Sequence, residues 1–185
     1  MLWLPNFLSL LRLIAAPFVV WLLYSGSFRT ALLALLAAGA SDWLDGYAAR
    51  KLGASGRTGA IIDPLADKVL LITVLVSMGL LGMVPGWLFL MVATRDIVIV
   101  VGALLLRLLR NRRKFLPSQL GKVSTFFQIV LALLALLHAA FPHITLVEWL
   151  MDTGVLLTAI FTLLSGIDYV RQGIQMARML PLEKI

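Results

Sequence analysis

Asp42, Asp45, Asp63 and Asp67 fall within 26 residues of an otherwise apolar chain, in the stretch SDWLDGYAARKLGASGRTGAIIDPLADK. On a helix, Asp42 and Asp45 share a stripe that Gly46, Ala49 and Arg50 continue, while Gly59, Asp63 and Asp67 recur every four residues. Two antiparallel helices would aim four carboxylates at one another. An acidic side chain at mid-bilayer costs about 2.5–3.5 kcal/mol, so four uncompensated ones would cost roughly 10–14 kcal/mol, which rivals the whole stability of a typical fold. A bound divalent cation is the simplest compensation. The chain has no cysteine, so only oxygen and imidazole ligands are on offer, which favours Mg²⁺ or Mn²⁺, with Ca²⁺ as a third candidate. Carboxylate-held metal beside basic side chains suits phosphoryl-type chemistry. The cation draws charge from phosphate oxygens, an arginine neutralises the remainder, and a spare carboxylate accepts a proton. Arg50 is the candidate phosphate ligand on the acidic face, against the alternative of an arginine snorkelling to the interface. Gly46, Ala49 and Gly59 remove bulk beside the acids, for close helix packing or for close approach of a ligand.

The elements that must position these residues are membrane helices. Of 185 residues, 61% are hydrophobic, against roughly 45–50% in an ordinary soluble domain, and this excludes a water-soluble globule. At about 20 apolar residues per span plus a connection, the length accommodates about six spans and no separate soluble domain. Apolar runs broken by Gly, Pro and charge predict helices over 6–24, 29–52, 58–81, 87–109, 119–138 and 147–171. Arg12 leaves the first ten residues open between an interfacial and a deep helix, and Pro17 is a candidate kink. The expected architecture is all-α: six transmembrane helices in a single bundle with a cytoplasm-facing polar site, residues 1–185 forming one domain. The opening MLWLPNFLSLLR lacks the marks of a cleaved secretory signal and is expected to stay in the mature protein.

The formal net charge of +7 is read as orientation and anionic-lipid contact, with no nucleic-acid partner. With the N-terminus in the cytoplasm, Arg50, Lys51 and Arg57 share one cytoplasmic connection. Arg107, Arg110, Arg112, Arg113, Lys114 and Lys122 surround the next, and Arg171, Arg178 and Lys184 fall in the tail. The opposite face holds only Arg29. That bias places both termini and the acidic site on the cytoplasmic side, as in a bacterial inner-membrane protein.

The pattern Asp42, two residues, Asp45-Gly46, two residues, Ala49-Arg50, eight residues, Gly59, three residues, Asp63, three residues, Asp67 resembles the signature of the CDP-alcohol phosphatidyltransferase family at every fixed position. The resemblance implies an integral membrane enzyme that moves a phosphatidyl group from CDP-diacylglycerol to an alcohol and releases CMP. It also implies that Asp42, Asp45, Asp63 and Asp67 hold one or two divalent cations, Mg²⁺ or Mn²⁺. Gly46, Ala49, Arg50 and Gly59 would contact the cytidine diphosphate portion, and Asp67 would be the general base. The family is often dimeric, and pairing between lipid-facing helices would give a homodimer.

The opening PNFLSLLR and the closing TLLSGIDYVRQG look like the phosphatidylglycerophosphate synthases and the related CMP-forming cardiolipin synthases. Arg-Glu on the fourth span is commoner in the first group and Arg-Asp in the second, and this chain carries Arg95-Asp96. The acceptor therefore lies between glycerol 3-phosphate, which is preferred, and phosphatidylglycerol. Either needs a cationic pocket, for which Arg95, Arg112 and Lys122 are the candidates, with Thr125 and Gln128 at helical spacing after Lys122. Arg95, inside an apolar span, needs a partner: Asp96, another acid or substrate phosphate. Asp168 is expected at a helix-end or Arg171 contact, His138 and His143 fall on the non-cytoplasmic side, and the Trp residues suit interfacial anchoring. A rival class is a divalent-cation transporter, which predicts acids spread across the membrane; here they cluster at one end.

Overall fold

Two glycines with positive φ set the reversals that follow the first and third helices. Gly26 (φ 71°) and Gly82 (φ 72°) adopt the left-handed conformation that other residues avoid. Around Gly26, the Ser27 N–H donates to the Leu22 carbonyl at 3.0 Å and the Gly26 N–H to the Leu23 carbonyl at 3.1 Å. Around Gly82, the Met83 N–H donates to Met78 at 2.9 Å and the Gly82 N–H to Gly79 at 3.2 Å. Both are Schellman caps, which satisfy the last carbonyls of a helix and turn the chain sharply.

The computed structural model describes residues 3–52, 59–108 and 118–178, with side chains described for 14–41, 69–102, 104 and 118–176. Among the described residues the structure is all-helical, without strands. The order is α1 (Trp3–Tyr24), α2 (Phe28–Leu52), α3 (Gly59–Leu80), α4 (Gly86–Leu108), α5 (Gln119–Ala140) and α6 (Thr145–Arg178). The predicted boundaries agree to within about three residues except at the last, where α6 continues past Arg171 to Arg178. Charge at Arg171 ends the apolar pattern, but RQGIQMAR contains no proline and its single glycine does not stop a helix. α1 continues through Pro17 as one helix.

The helices fall into two compact units. The first comprises α1, α2 and α3 with residues 132–151 from α5 and α6. Here α1 is the common neighbour of α2 and α3, and Val19, Leu23, Val74, Met78 and Leu136 are almost wholly buried. Arg29, at the start of α2, donates to the Ala140 carbonyl at 3.4 Å and lies over the Phe141 ring.

The second unit comprises α4, the 119–131 part of α5 and α6 from residue 152. Its interior joins Leu88, Val92 and Leu131 to many polar side chains: Arg95, Asp96, Ser118, Ser124, Gln128, Thr158, Thr162 and Ser165 are all buried. Its exterior carries Ile97, Val100, Leu104, Phe126, Leu156 and Ile160, each exposed. Many buried polar side chains beneath an exterior of large apolar ones suit helices solvated by lipid. Two helices, residues 119–140 and 145–176, are long and apolar enough to cross a membrane among the described residues. Trp21, Trp87 and Trp149 are exposed, consistent with interfacial anchoring.

Truncation of a core residue tests this packing. Leu136→Ala is expected to destabilise by about 2–5 kcal/mol through lost contacts and a residual cavity, whereas Leu33→Ala, at a position 67% exposed, should change little. Thermal unfolding of the detergent-solubilised protein checks both.

Candidate active site

The helical backbone carries the signature residues as their spacing predicts. Asp42, Asp45, Gly46, Ala49 and Arg50 lie on the last turns of α2, and Gly59, Asp63 and Asp67 on the first turns of α3. Both stretches are α-helical, so the three- and four-residue spacings place each set on one stripe. The chain from Leu52 to Gly59 spans at most roughly 25 Å, so the acid-bearing ends of α2 and α3 are the ends joined by the connection. Both helices also pack on α1. The side chains of these eight residues lie outside the described residues, as does Arg112. As a donor set, four carboxylates without a thiol match a hard divalent cation rather than a soft one.

The second ionisable cluster is described in full side-chain detail. Arg95 of α4 is 7% exposed and Asp96 beside it also 7%. The Arg95 Nη1 donates to Asp96 Oδ1 at 2.6 Å, while Nη2 and Nε donate to Ser165 Oγ of α6 at 2.6 and 3.2 Å. The guanidinium carbon stands 5.4 Å from the centre of the Tyr169 ring, within cation–π range. Among the partners open to Arg95 on sequence grounds, the structure supplies Asp96 directly and adds a hydroxyl and an aromatic face.

Separate polar contacts join α5 and α6. Ser124 Oγ and Thr162 Oγ1 are 3.2 Å apart, Gln128 Nε2 donates to Ser124 Oγ at 3.2 Å, and Thr158 Oγ1 donates to the Phe127 carbonyl at 3.2 Å. Gln128 therefore belongs to the helix interface. Thr125 donates to the Gly121 carbonyl, one turn back on its own helix. Lys122 is exposed near the start of α5. Sequence reasoning singled out none of Thr158, Thr162, Ser165 and Tyr169, although polar residues at spacings of four, three and four on an apolar helix mark a buried face.

Other expectations resolve simply. Asp168 accepts from Gln172 Nε2 at 3.1 Å, so its partner is the amide one turn on rather than Arg171 or the helix end, because the four-residue spacing brings the two together. His143 is exposed, and His138 Nδ1 is buried without a hydrogen-bond partner among the described residues.

These features define a helical membrane protein whose second unit buries an ion pair, Arg95–Asp96. The family model for CDP-alcohol phosphatidyltransferase matches residues 2–164. The chain is 33% identical over 176 residues to the CDP-diacylglycerol–glycerol-3-phosphate 3-phosphatidyltransferase of Aquifex aeolicus, covering 93% of this chain and 96% of that one. It is 32% identical over 180 residues to the chloroplastic CDP-diacylglycerol–glycerol-3-phosphate 3-phosphatidyltransferase 1 of Oryza sativa, covering 85% of this chain but only 55% of the rice protein. A Mycobacterium bovis protein named as a cardiolipin synthase is 38% identical over 123 residues, which is 66% of this chain and 58% of that one. The chain belongs to the CDP-alcohol phosphatidyltransferase family, and it is an enzyme of that class.

The Arg95 node yields a stability prediction. Asp96→Ala should destabilise by about 3–5 kcal/mol because it strands a buried guanidinium, and Ser165→Ala by about 1–3 kcal/mol. Unfolding of the solubilised variants measures both, and equal stability of Asp96→Ala and wild type would contradict the buried pair.

Proposed function

We propose that the chain transfers the phosphatidyl group of CDP-diacylglycerol to glycerol 3-phosphate, forming phosphatidylglycerophosphate and releasing CMP. The single observation that carries this reading is similarity over 93% of the chain to a protein named for that reaction. The match to the cardiolipin synthase covers only 66%, which ranks phosphatidylglycerol second as acceptor despite Arg95-Asp96.

In this reading Asp42, Asp45, Asp63 and Asp67 would hold Mg²⁺ or Mn²⁺, which would supply stabilisation for the charge that builds on the phosphate of the departing CMP. Gly46, Ala49 and Gly59 leave room for the cytidine diphosphate portion, and Arg50 neutralises phosphate charge. Asp67 accepts the proton of the acceptor hydroxyl as its oxygen attacks the lipid-bearing phosphorus; the bond from that phosphorus to the CMP oxygen breaks and CMP departs. Lys122, Arg95 and Arg112 supply the positive surroundings for the acceptor phosphate.

Every helix is at least 22 residues long, about 33 Å at 1.5 Å per residue, against a hydrocarbon core of about 30 Å. That length supports six spans acting as one domain in the bacterial inner membrane. The Lys and Arg bias supports both termini and the active site facing the cytoplasm. A homodimer formed through lipid-facing helices fits the same arrangement.

Purified protein given CDP-diacylglycerol, Mg²⁺ and glycerol 3-phosphate should release CMP and form the matching lipid, and phosphatidylglycerol in its place should give less. CMP release with neither acceptor would refute the reading. Asp67→Asn should lower turnover by about 100-fold or more, the usual range for a lost general base, and a chelator should stop the wild type. Undiminished turnover in Asp67→Asn would remove that residue as base.

A further inference from the structure

Tyr169 of α6 sits where three helices of the second unit meet. Its ring faces the Arg95 guanidinium of α4 at 5.4 Å, and its hydroxyl accepts the Ser118 N–H, just before α5, at 3.2 Å. Ser118 Oγ in turn accepts the Gly121 N–H at 3.0 Å, closing the N-terminal cap of α5. Gly121 is matched to this contact by its lack of a side chain. A Cβ there would stand 2.6 Å from the Tyr169 hydroxyl oxygen and 3.0 Å from its Cε2. The hydroxyl is therefore held between the Ser118 amide and the Gly121 α-carbon, which fixes the height of the first turn of α5 along α6.

Lys122 is the next residue on that turn, and its N–H donates to the Ser118 carbonyl at 3.2 Å. One aromatic side chain thus touches the buried cation of α4 through its face and holds the turn bearing the exposed cation of α5 through its hydroxyl. Neither contact requires the other chemically; only tyrosine provides both.

We propose that Tyr169 is a positioning residue for acceptor binding, setting the Lys122 turn of α5 against Arg95 so that the two cations share one phosphate of the acceptor. The proposal rests on the reading of Arg95 and Lys122 as acceptor-binding residues given above. Tyr169 itself acts through its neighbours and does not touch substrate.

The test is steady-state kinetics of CMP release by the purified full chain, with acceptor and CDP-diacylglycerol varied in turn. Tyr169→Phe keeps the ring over Arg95 and removes the hydroxyl. It should raise KM for the acceptor about fivefold, the effect of one lost hydrogen bond, with KM for CDP-diacylglycerol within about twofold of wild type. Gly121→Ala pushes the same contact from the other side and should show the same acceptor-selective rise. The double variant should be no worse than either single one, since both act at one contact. An unchanged acceptor KM in both single variants would overturn the proposal, as would parallel rises in both KM values, which mark general structural damage. Wild-type protein that releases no CMP with either glycerol 3-phosphate or phosphatidylglycerol would instead overturn the acceptor reading, and the positioning role with it.

Discussion

An apolar chain must compensate every charge it takes inside, and this constraint organises the molecule. Arg95 shows how the requirement is met. A guanidinium 7% exposed is matched by an adjacent carboxylate, a serine hydroxyl from another helix and an aromatic face. Each partner comes from a defined helical position, so compensating the charge also fixes how α4 and α6 meet. Buried ion pairs add little net stability, but removing one member is costly, and they therefore specify an arrangement more than they strengthen it.

The same constraint gives the four aspartates their proposed role. No Lys or Arg falls between Thr58 and Ile62 or between Asp63 and Asp67, and Arg50, Lys51, Arg57 and Lys68 are the basic residues nearest in sequence. In the proposed reading, a divalent cation compensates the four carboxylates concentrated at the joined ends of the two helices, since it carries denser charge than a flexible side chain. Helix geometry does the placing: continuous helix through Asp42 and Asp45 and again through Asp63 and Asp67 turns sequence spacing into two stripes. The neighbouring α1 receives both helices.

Much of this was legible in the sequence, for identifiable reasons. Helix limits follow from Gly, Pro and charge because glycine caps such as Gly26 and Gly82 are the physical ends of helices. The helical placement of the four aspartates on α2 and α3 was legible because carboxylates are conspicuous against apolar residues and their spacing is helical. The hydroxyl network was legible only as a polar stripe at Thr158, Thr162 and Ser165; which partners these hydroxyls take depends on packing, because a hydroxyl on an apolar helix can also bond its own backbone. The same holds for Gly121, whose requirement comes from a tyrosine on another helix. Arg95 was recognised as needing a partner; its choice of Asp96 together with Ser165 depended on the approach of α6, which no local pattern encodes.

The central claim is that the α2 and α3 aspartates together hold a divalent cation. Manganese binding to the metal-free purified protein, followed by electron paramagnetic resonance of the unbound ion, measures this without reference to turnover. Saturable Mn²⁺ uptake, displaced by Mg²⁺ and lost in an Asp63→Asn variant that keeps its helical circular dichroism, is the expected result. Uptake that never saturates, or that persists undiminished in that variant, would contradict the account.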